Sequence, residues 1–221
     1  MKKTFIILLP FMLSFAQFLP DVWSQSYCTY DIAEVMPVNG YSLGFSINNY
    51  CLWSHDPDSV SYDQRRFDLF AHLTLAHKLE FGIKYSYPTS GILELKYQYL
   101  SDPLNGAVKL GISYMKGTRI GLITDYVFDI YPTLVFDKPI TSMIGVYIAP
   151  KVIYSIHLRD RQEHSTRPPH YLFQYGLGLG FYFGNRFIIM PESNWLRGRD
   201  EGDYTINQFG LAVKLRFKEE Y

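Results

Sequence analysis

The sequence predicts an all-β chain, an antiparallel up-and-down transmembrane β-barrel of about ten strands over residues 40–217. Three observations lead to this prediction. Apolar residues alternate with polar or small ones in run after run, so that each strand has one apolar face. The runs are about ten residues long, whereas strands of soluble sheets are usually about five or six residues long. The connections are long at one end of the barrel and short at the other.

Five strands are predicted in the first half of the barrel, each with its apolar residues at alternate positions. They cover residues 40–51, 67–75, 79–87, 93–99 and 108–114. The residue types of Pro88-Thr89-Ser90-Gly91 and of 102–106 are typical of turns, so the chain is expected to reverse there.

The second half is predicted to contain five more strands, at 119–136, 141–157, 171–183, 186–194 and 204–217. Residues 119–136 are read as one strand with a bend near Asp129, and division into two strands stays open. Kept whole, this strand places the long connections 52–66, 158–170 and 195–203 at one end of the barrel. Outer-membrane barrels have the same asymmetry, with long external loops and short periplasmic turns.

The amino terminus has the pattern of a secretory signal peptide. Met1-Lys2-Lys3 precedes a short apolar run, which is too short to span a membrane as a helix. Cleavage is predicted after Ser26, with cleavage after Ala16 as the alternative. The predicted divisions are a signal peptide at 1–26, an irregular N-terminal lead-in at 27–39, the barrel at 40–217 and a C-terminal tail at 218–221.

The charge composition argues against a nucleic-acid-binding protein. The 221 residues include 21 Lys and Arg and 21 Asp and Glu, with a pI near 7.0, so the basic excess of a nucleic-acid surface is missing.

Two cysteines, Cys28 and Cys51, would lie in the exported chain, where they either form a disulfide or serve as small apolar residues. Their spacing matches no zinc or redox motif.

With these features the sequence resembles the small bacterial outer-membrane β-barrel proteins. The resemblance is carried by the signal peptide, the alternating strands and the closing Phe209-x-Leu211-x-Val213-x-Leu215-x-Phe217. It implies contact with outer-membrane lipid, and it implies that the barrel-assembly machinery reads the last strand. The residues Lys218 to Tyr221 that follow Phe217 depart from the usual pattern, in which the aromatic residue ends the chain.

If the apolar faces point to lipid, the lumen is polar and contains charges of both signs. The predicted lumen residues are His72, Glu80, Lys84, Glu94, Lys96, Lys109, Asp125, Lys151, Glu192, Lys214 and Arg216. Buried charges need partners or water, so a network of ion pairs is expected to close most of the lumen. The glycines at 176, 178 and 180 are expected to make room for long side chains opposite.

Two groups of residues have the types found in enzymatic or metal sites, but the sequence predicts neither kind of site. Ser155 and His157 share the inward face of one strand, but no acidic partner can be assigned from sequence. His55, His164 and His170 lie in or beside loops at one rim, where solvated loops are favoured over a metal site. No catalytic, metal or cofactor residue is therefore predicted.

The function predicted is a non-enzymatic structural or surface-interaction barrel in the cell outer membrane, with an external ligand at the long loops as its partner. The alternatives are a narrow porin-like channel, a lipid A-modifying barrel enzyme and a soluble periplasmic binding barrel whose apolar face looks inward.

Overall fold

The computed structural model describes residues 26–54, 62–87, 90–119, 123–161, 169–198 and 204–217. These residues form ten antiparallel strands in one closed barrel. The strands are β1 (Tyr41–Ser54), β2 (Tyr62–Ala76), β3 (Leu79–Tyr87), β4 (Ser90–Leu100), β5 (Asn105–Arg119), β6 (Ile123–Pro139), β7 (Ile144–Arg161), β8 (His170–Phe183), β9 (Phe187–Gly198) and β10 (Tyr204–Phe217). Within the described ranges there is no helix long and apolar enough to cross a membrane.

The barrel is up-and-down, because each strand pairs with the next along the chain and β10 returns to β1. At the closing seam Tyr41 lies opposite Phe217, and their rings stack with centroids 4.7 Å apart. Closure leaves no unpaired sheet edge, as a strand structure in lipid requires. The fold class predicted from the sequence is confirmed.

Several strand boundaries differ from the prediction. Residues 123–139 form one strand, as predicted, but 116–119 belong to β5, since Arg119 pairs with Ile123. Residues 137–139, predicted to lie between two strands, belong to β6. Ser90 and Gly91, predicted to lie in a turn, belong to β4. The ladder extends past the alternating patterns because main-chain hydrogen bonds do not depend on side-chain polarity. For the same reason β1, β2, β7 and β9 run further into the connections than predicted. The predicted connections 52–66, 158–170 and 195–203 shorten to 55–61, 162–169 and 199–203.

The odd-numbered and even-numbered connections lie at opposite ends, as predicted. The short-turn rim contains the connections at 77–78, 101–104, 140–143 and 184–186. The opposite end, here called the long-loop rim, is where β1–β2, β3–β4, β5–β6, β7–β8 and β9–β10 are joined. At the short-turn rim Gly184 adopts a φ of 107°, a conformation that favours glycine.

The apolar faces point outward and the polar faces inward. On β1 the outward residues Leu43, Phe45 and Ile47 are exposed, while Ser42, Ser46 and Asn48 are buried. A soluble barrel would show the reverse arrangement, so this outer surface is that of a transmembrane barrel. Outward tyrosines lie near both rims, as in the aromatic girdles of membrane barrels: Tyr85, Tyr97, Tyr99, Tyr114 and Tyr154.

Candidate functional site

Residues 26–36, here called the lumen segment, lie inside the barrel. From Ser26 to Ala33 every residue is at most 8% exposed. The segment joins β1 at the short-turn rim, where residues 37–39 are exposed, and it extends inward. Eight strands leave room for little more than wall side chains, so a ten-stranded barrel is wide enough for an added chain. The sequence predicts an irregular lead-in at 27–39, and these residues are irregular, but the alternating pattern does not indicate that 26–36 lie in the lumen.

The wall binds the N–H groups of the segment's main chain through side-chain oxygens. Glu192 accepts hydrogen bonds from the amides of Thr29 at 2.7 Å and Tyr30 at 2.6 Å. Asp137 accepts from the amides of Ala33 at 2.7 Å and Glu34 at 3.3 Å. Gln208 and Gln98 accept from the amides of Tyr27 and Val35 in the same way. The segment belongs to no strand, so these side chains replace the ladder bonds that a buried main chain needs.

Wall lysines bind the segment's carbonyl groups. Lys84 Nζ donates to the carbonyl oxygens of Ser26 and Cys28 at 2.9 and 3.0 Å. Lys151 Nζ donates to the carbonyl of Tyr27 at 2.5 Å and to Thr29 Oγ1 at 3.0 Å. The wall therefore binds both amide and carbonyl groups of the segment's main chain.

Asp31 is the charged centre of the segment. One of its carboxylate oxygens lies 2.8 Å from Lys96 Nζ and the other 2.6 Å from Lys214 Nζ. Lys96 also pairs with Glu80 of the wall at 2.8 Å. All four side chains are at most 2% exposed, so their charges are compensated by each other rather than by water.

A second group of ion pairs lies within the wall. The Glu94 carboxylate forms an ion pair with Lys109 Nζ at 2.8 Å and accepts a hydrogen bond from the Tyr131 hydroxyl at 3.1 Å. His72 Nε2 lies 3.5 Å from the same carboxylate. Ten of the eleven predicted lumen residues are buried as predicted, whereas the side chain of Asp125 lies outside the described residues. Among the residues whose burial is described, five further charged residues are buried that were absent from the prediction: Asp31, Arg66, Asp68, Asp129 and Asp137.

The inner end of the segment meets a polar cluster and then an apolar layer. Asp68 accepts hydrogen bonds from Ser26 Oγ at 2.6 Å, Asn48 Nδ2 at 2.7 Å and two wall serines. Tyr27 donates its hydroxyl to Asp129 at 3.0 Å. Its ring packs into a buried cluster made of Tyr50, Ile92, Tyr131, Ile153, Leu196 and Ile206.

Small wall residues make room for these side chains. A Cβ on Gly180 would meet the Tyr147 ring, and one on Gly178 would lie 2.6 Å from Asn194 Oδ1. The predicted relief by these two glycines is confirmed, whereas Gly176 lies against the main chain of β9. A Cβ on Gly210 would meet the hydroxyl of Tyr30, a residue of the segment.

Asp31, His72 and Glu80 have the residue types of a metal site, and their potential ligand atoms lie within 4.8 Å of one another. However, Lys96 and Lys214 already neutralise both carboxylates at 2.6 to 2.8 Å. A divalent cation would have to displace an ammonium group from this buried pair, so the arrangement fits an ion-pair network rather than a metal centre. Of the loop histidines, His55 and His164 lie outside the described residues, and so does the side chain of His170.

Ser155 is buried on the inward face of β7, and His157 follows on the same face, partly buried. The structure adds an acid that the sequence could not assign, because Asp129 lies opposite Ser155 across β6 and β7. That carboxylate accepts hydrogen bonds from Tyr27 at 3.0 Å and Ser113 at 3.1 Å. Ser155 therefore faces the lumen and the segment, away from the lipid.

The two cysteines lie on different sides of the wall and form no disulfide with each other. Cys28 is in the lumen segment, where its thiol contacts Asn194 Nδ2 at 3.1 Å. Cys51 is partly exposed on the outward face of β1.

Comparisons with known proteins give a likeness of fold. No family model matches, and no curated protein matches. Among solved structures, Neisserial surface protein A aligns with a TM-score of 0.45 and 9% identity, covering 80% of this chain and 97% of that one. Ail of Yersinia pestis, bound to the heparin analogue sucrose octasulfate, aligns with 0.46 and 11%, covering 82% and 100%. The outer-membrane enzyme PagL aligns with 0.35 and 13%, covering 77% and 98%. Similarity this low supports no argument about function.

Proposed function

We propose that this protein is a non-enzymatic outer-membrane barrel that is closed at rest and acts at the cell surface through its long-loop rim. The observation that carries the proposal is the lumen segment, of which the wall binds six main-chain amides between Tyr27 and Val35 and the carbonyls of residues 26–28. A lumen filled in this way leaves the rim as the part of the protein that can meet a partner.

The porin-like alternative needs a continuous water path. The segment and the Asp31 ion pairs stand in that path, which supports a closed resting state. The lipid A-modifying alternative needs a nucleophile within reach of lipid, whereas Ser155 faces the lumen. Both observations favour a role outside the lumen.

Planar-bilayer recording of the purified barrel tests the proposal. We expect no steady single-channel steps from the wild-type protein. Steady single-channel steps from the wild-type protein would contradict the closed barrel and support the narrow porin-like channel. Lipid A mass changes that disappear in Ser155→Ala and His157→Ala would establish the enzyme instead.

The orientation proposed puts the long-loop rim outside the cell. Cleavage of the export signal after Ala16 keeps Ser26, whose hydroxyl and carbonyl contact Asp68 and Lys84, whereas the predicted cleavage after Ser26 would remove both contacts. Protease added to intact cells should cut between Arg159 and Arg167, and cutting confined to the turn at 101–104 would invert the topology. Residues 1–25 and 218–221 lie outside the described residues, so the mass of the mature protein decides between cleavage after Ala16 and after Ser26.

A further inference from the structure

We propose that the lumen segment is a gate, that Asp31 is its latch, and that the barrel conducts small anions once the segment has left. The inference rests on the proposed closed resting state and adds an open state with a defined charge preference.

The described part of the vacated lumen would carry a net positive charge. Among the described residues, seven basic and seven acidic side chains are buried in the barrel. They are Arg66, Lys84, Lys96, Lys109, Lys151, Lys214, Arg216, and Asp31, Asp68, Glu80, Glu94, Asp129, Asp137, Glu192. Asp31 is the one member of this set that belongs to the segment, so in the described part of the lumen its departure leaves seven cations against six anions.

The excess is concentrated where the segment had been. Lys214 loses Asp31, and Lys84 loses the carbonyls of Ser26 and Cys28. Lys96 and Lys151 each lose part of their partners and keep Glu80 and Asn194, respectively. Inward lysines around a water-filled pore favour anions, because they replace part of the hydration of the ion.

The segment is held in a way that permits release. Its main chain is bound by separate side chains, each of which water can replace, so no ladder of main-chain hydrogen bonds has to break when the segment leaves. Tyr30 is held at a φ of 39°, which is unfavourable for a bulky residue and is relieved when the segment leaves. A cavity of about 390 Å³ beside Glu34, Asp137 and Arg216 opens at the rim where the segment would move out.

Asp31 is the contact least replaceable by water, because it pairs with two buried lysines at once. Asp31→Asn leaves Lys214 without its counter-ion, and removal of one partner from a buried pair is strongly destabilising. We expect this substitution to shift the ratio of open to closed barrel about a hundredfold or more. Glu34→Gln removes the same charge from the same segment, but Glu34 is half-exposed and pairs with Arg216 at the rim. The expected shift for this control is no more than about fivefold.

The experiment uses full-length protein with Cys51→Ser, so that Cys28 is the remaining thiol. Cys28 is 1% exposed and reports whether the segment is in place. Anionic and cationic membrane-impermeant thiosulfonates are added to the folded barrel, and bilayer recordings in a salt gradient give the sign of the reversal potential. In Asp31→Asn we expect rapid labelling of Cys28, faster with the anionic reagent, and anion-selective steps. Glu34→Gln should behave nearly as the parent.

A folded Asp31→Asn barrel with protected Cys28 and no conductance would overturn the latch. Conductance with cation selectivity would overturn the anion assignment. Steady conductance of the wild-type protein would instead contradict the closed resting state, so failure of the gate and failure of the proposed function give different results.

A second variant tests the gate without requiring the Asp31→Asn barrel to fold. A protease site at residues 37–39, which are exposed at the short-turn rim, is cut after the wild-type barrel has folded. We expect anion-selective steps to follow the cut and to be blocked when a synthetic peptide of residues 26–37 is added. A cut barrel that stays silent, with Cys28 protected, would show that the segment is a fixed part of the core.

Discussion

The wall and the lumen segment are stabilised by different kinds of contact. Each wall strand is held by a ladder of main-chain hydrogen bonds to two neighbours, for example β1 to β2 and β10. The lumen segment is held by individual side chains, among them Glu192, Asp137 and Lys84. A single substitution removes one contact of the segment completely, whereas it leaves the ladder intact.

Because their contacts differ in kind, the wall strands and the lumen segment can be perturbed separately. Substitutions of wall residues that face other wall residues should lower the stability of the barrel. Substitutions of wall residues that face the segment should expose Cys28 while the barrel persists. The following three predictions test that separation, from the largest expected effect to the smallest.

Two buried wall glutamates provide the sharpest contrast. Glu192 binds the amides of Thr29 and Tyr30 in addition to two wall side chains. The partners of Glu94, by contrast, are Lys109, Tyr131 and His72 of the wall. Hydrogen bonds to a charged group contribute about 1.5–3 kcal/mol each, so Glu192→Ala should speed Cys28 labelling by about a hundredfold or more. The labelling rate is measured in the Cys51→Ser background.

Glu94→Ala is the matched control. It leaves Lys109 buried without its counter-ion and should lower the free energy of unfolding by about 3–5 kcal/mol. Urea titration followed by unboiled gel electrophoresis measures this change. Cys28 should stay protected until the barrel unfolds. Equal labelling in the two variants would mean that the segment and the wall form one cooperative unit.

Asp137→Asn tests whether the segment is held contact by contact. The substitution keeps an acceptor oxygen but removes its charge, which should weaken the bonds from the amides of Ala33 and Glu34 by about 1 kcal/mol. Hydrogen exchange of these two amides should accelerate about fivefold. The amides of Thr29 and Tyr30, which are bound by Glu192, should exchange as before; acceleration along the whole segment would contradict local attachment.

Phe217→Leu should have the smallest effect, because it changes one side chain of the wall and no ladder bond. The substitution removes the stack on Tyr41, with centroids 4.7 Å apart, and keeps an apolar side chain at the seam. We expect the free energy of unfolding to fall by no more than about 1 kcal/mol. Urea titration measures it, and loss of the closed barrel would show that this stack, rather than the ladder, holds the seam.

One sign of the missing lumen element was present in the sequence. The predicted lumen set contains six Lys or Arg, at 84, 96, 109, 151, 214 and 216, but four Asp or Glu, at 80, 94, 125 and 192. A buried excess of two positive charges requires further acids in the lumen. Asp31 is one of them, and it could not be assigned because nothing in the alternating pattern places residues 27–39.

The alternating pattern and the turn-forming residues predict the strands, their faces and the end at which the longer connections lie. These features are local, because alternation with a period of two and turn-forming residues are properties of consecutive positions. Only the tertiary structure decided what fills the lumen. Ala33 meets Asp137, and Thr29 meets Glu192, after the closing of the barrel has brought distant strands around one axis. Such contacts depend on which inward side chains face each other across the lumen, and that depends on the number and register of all ten strands.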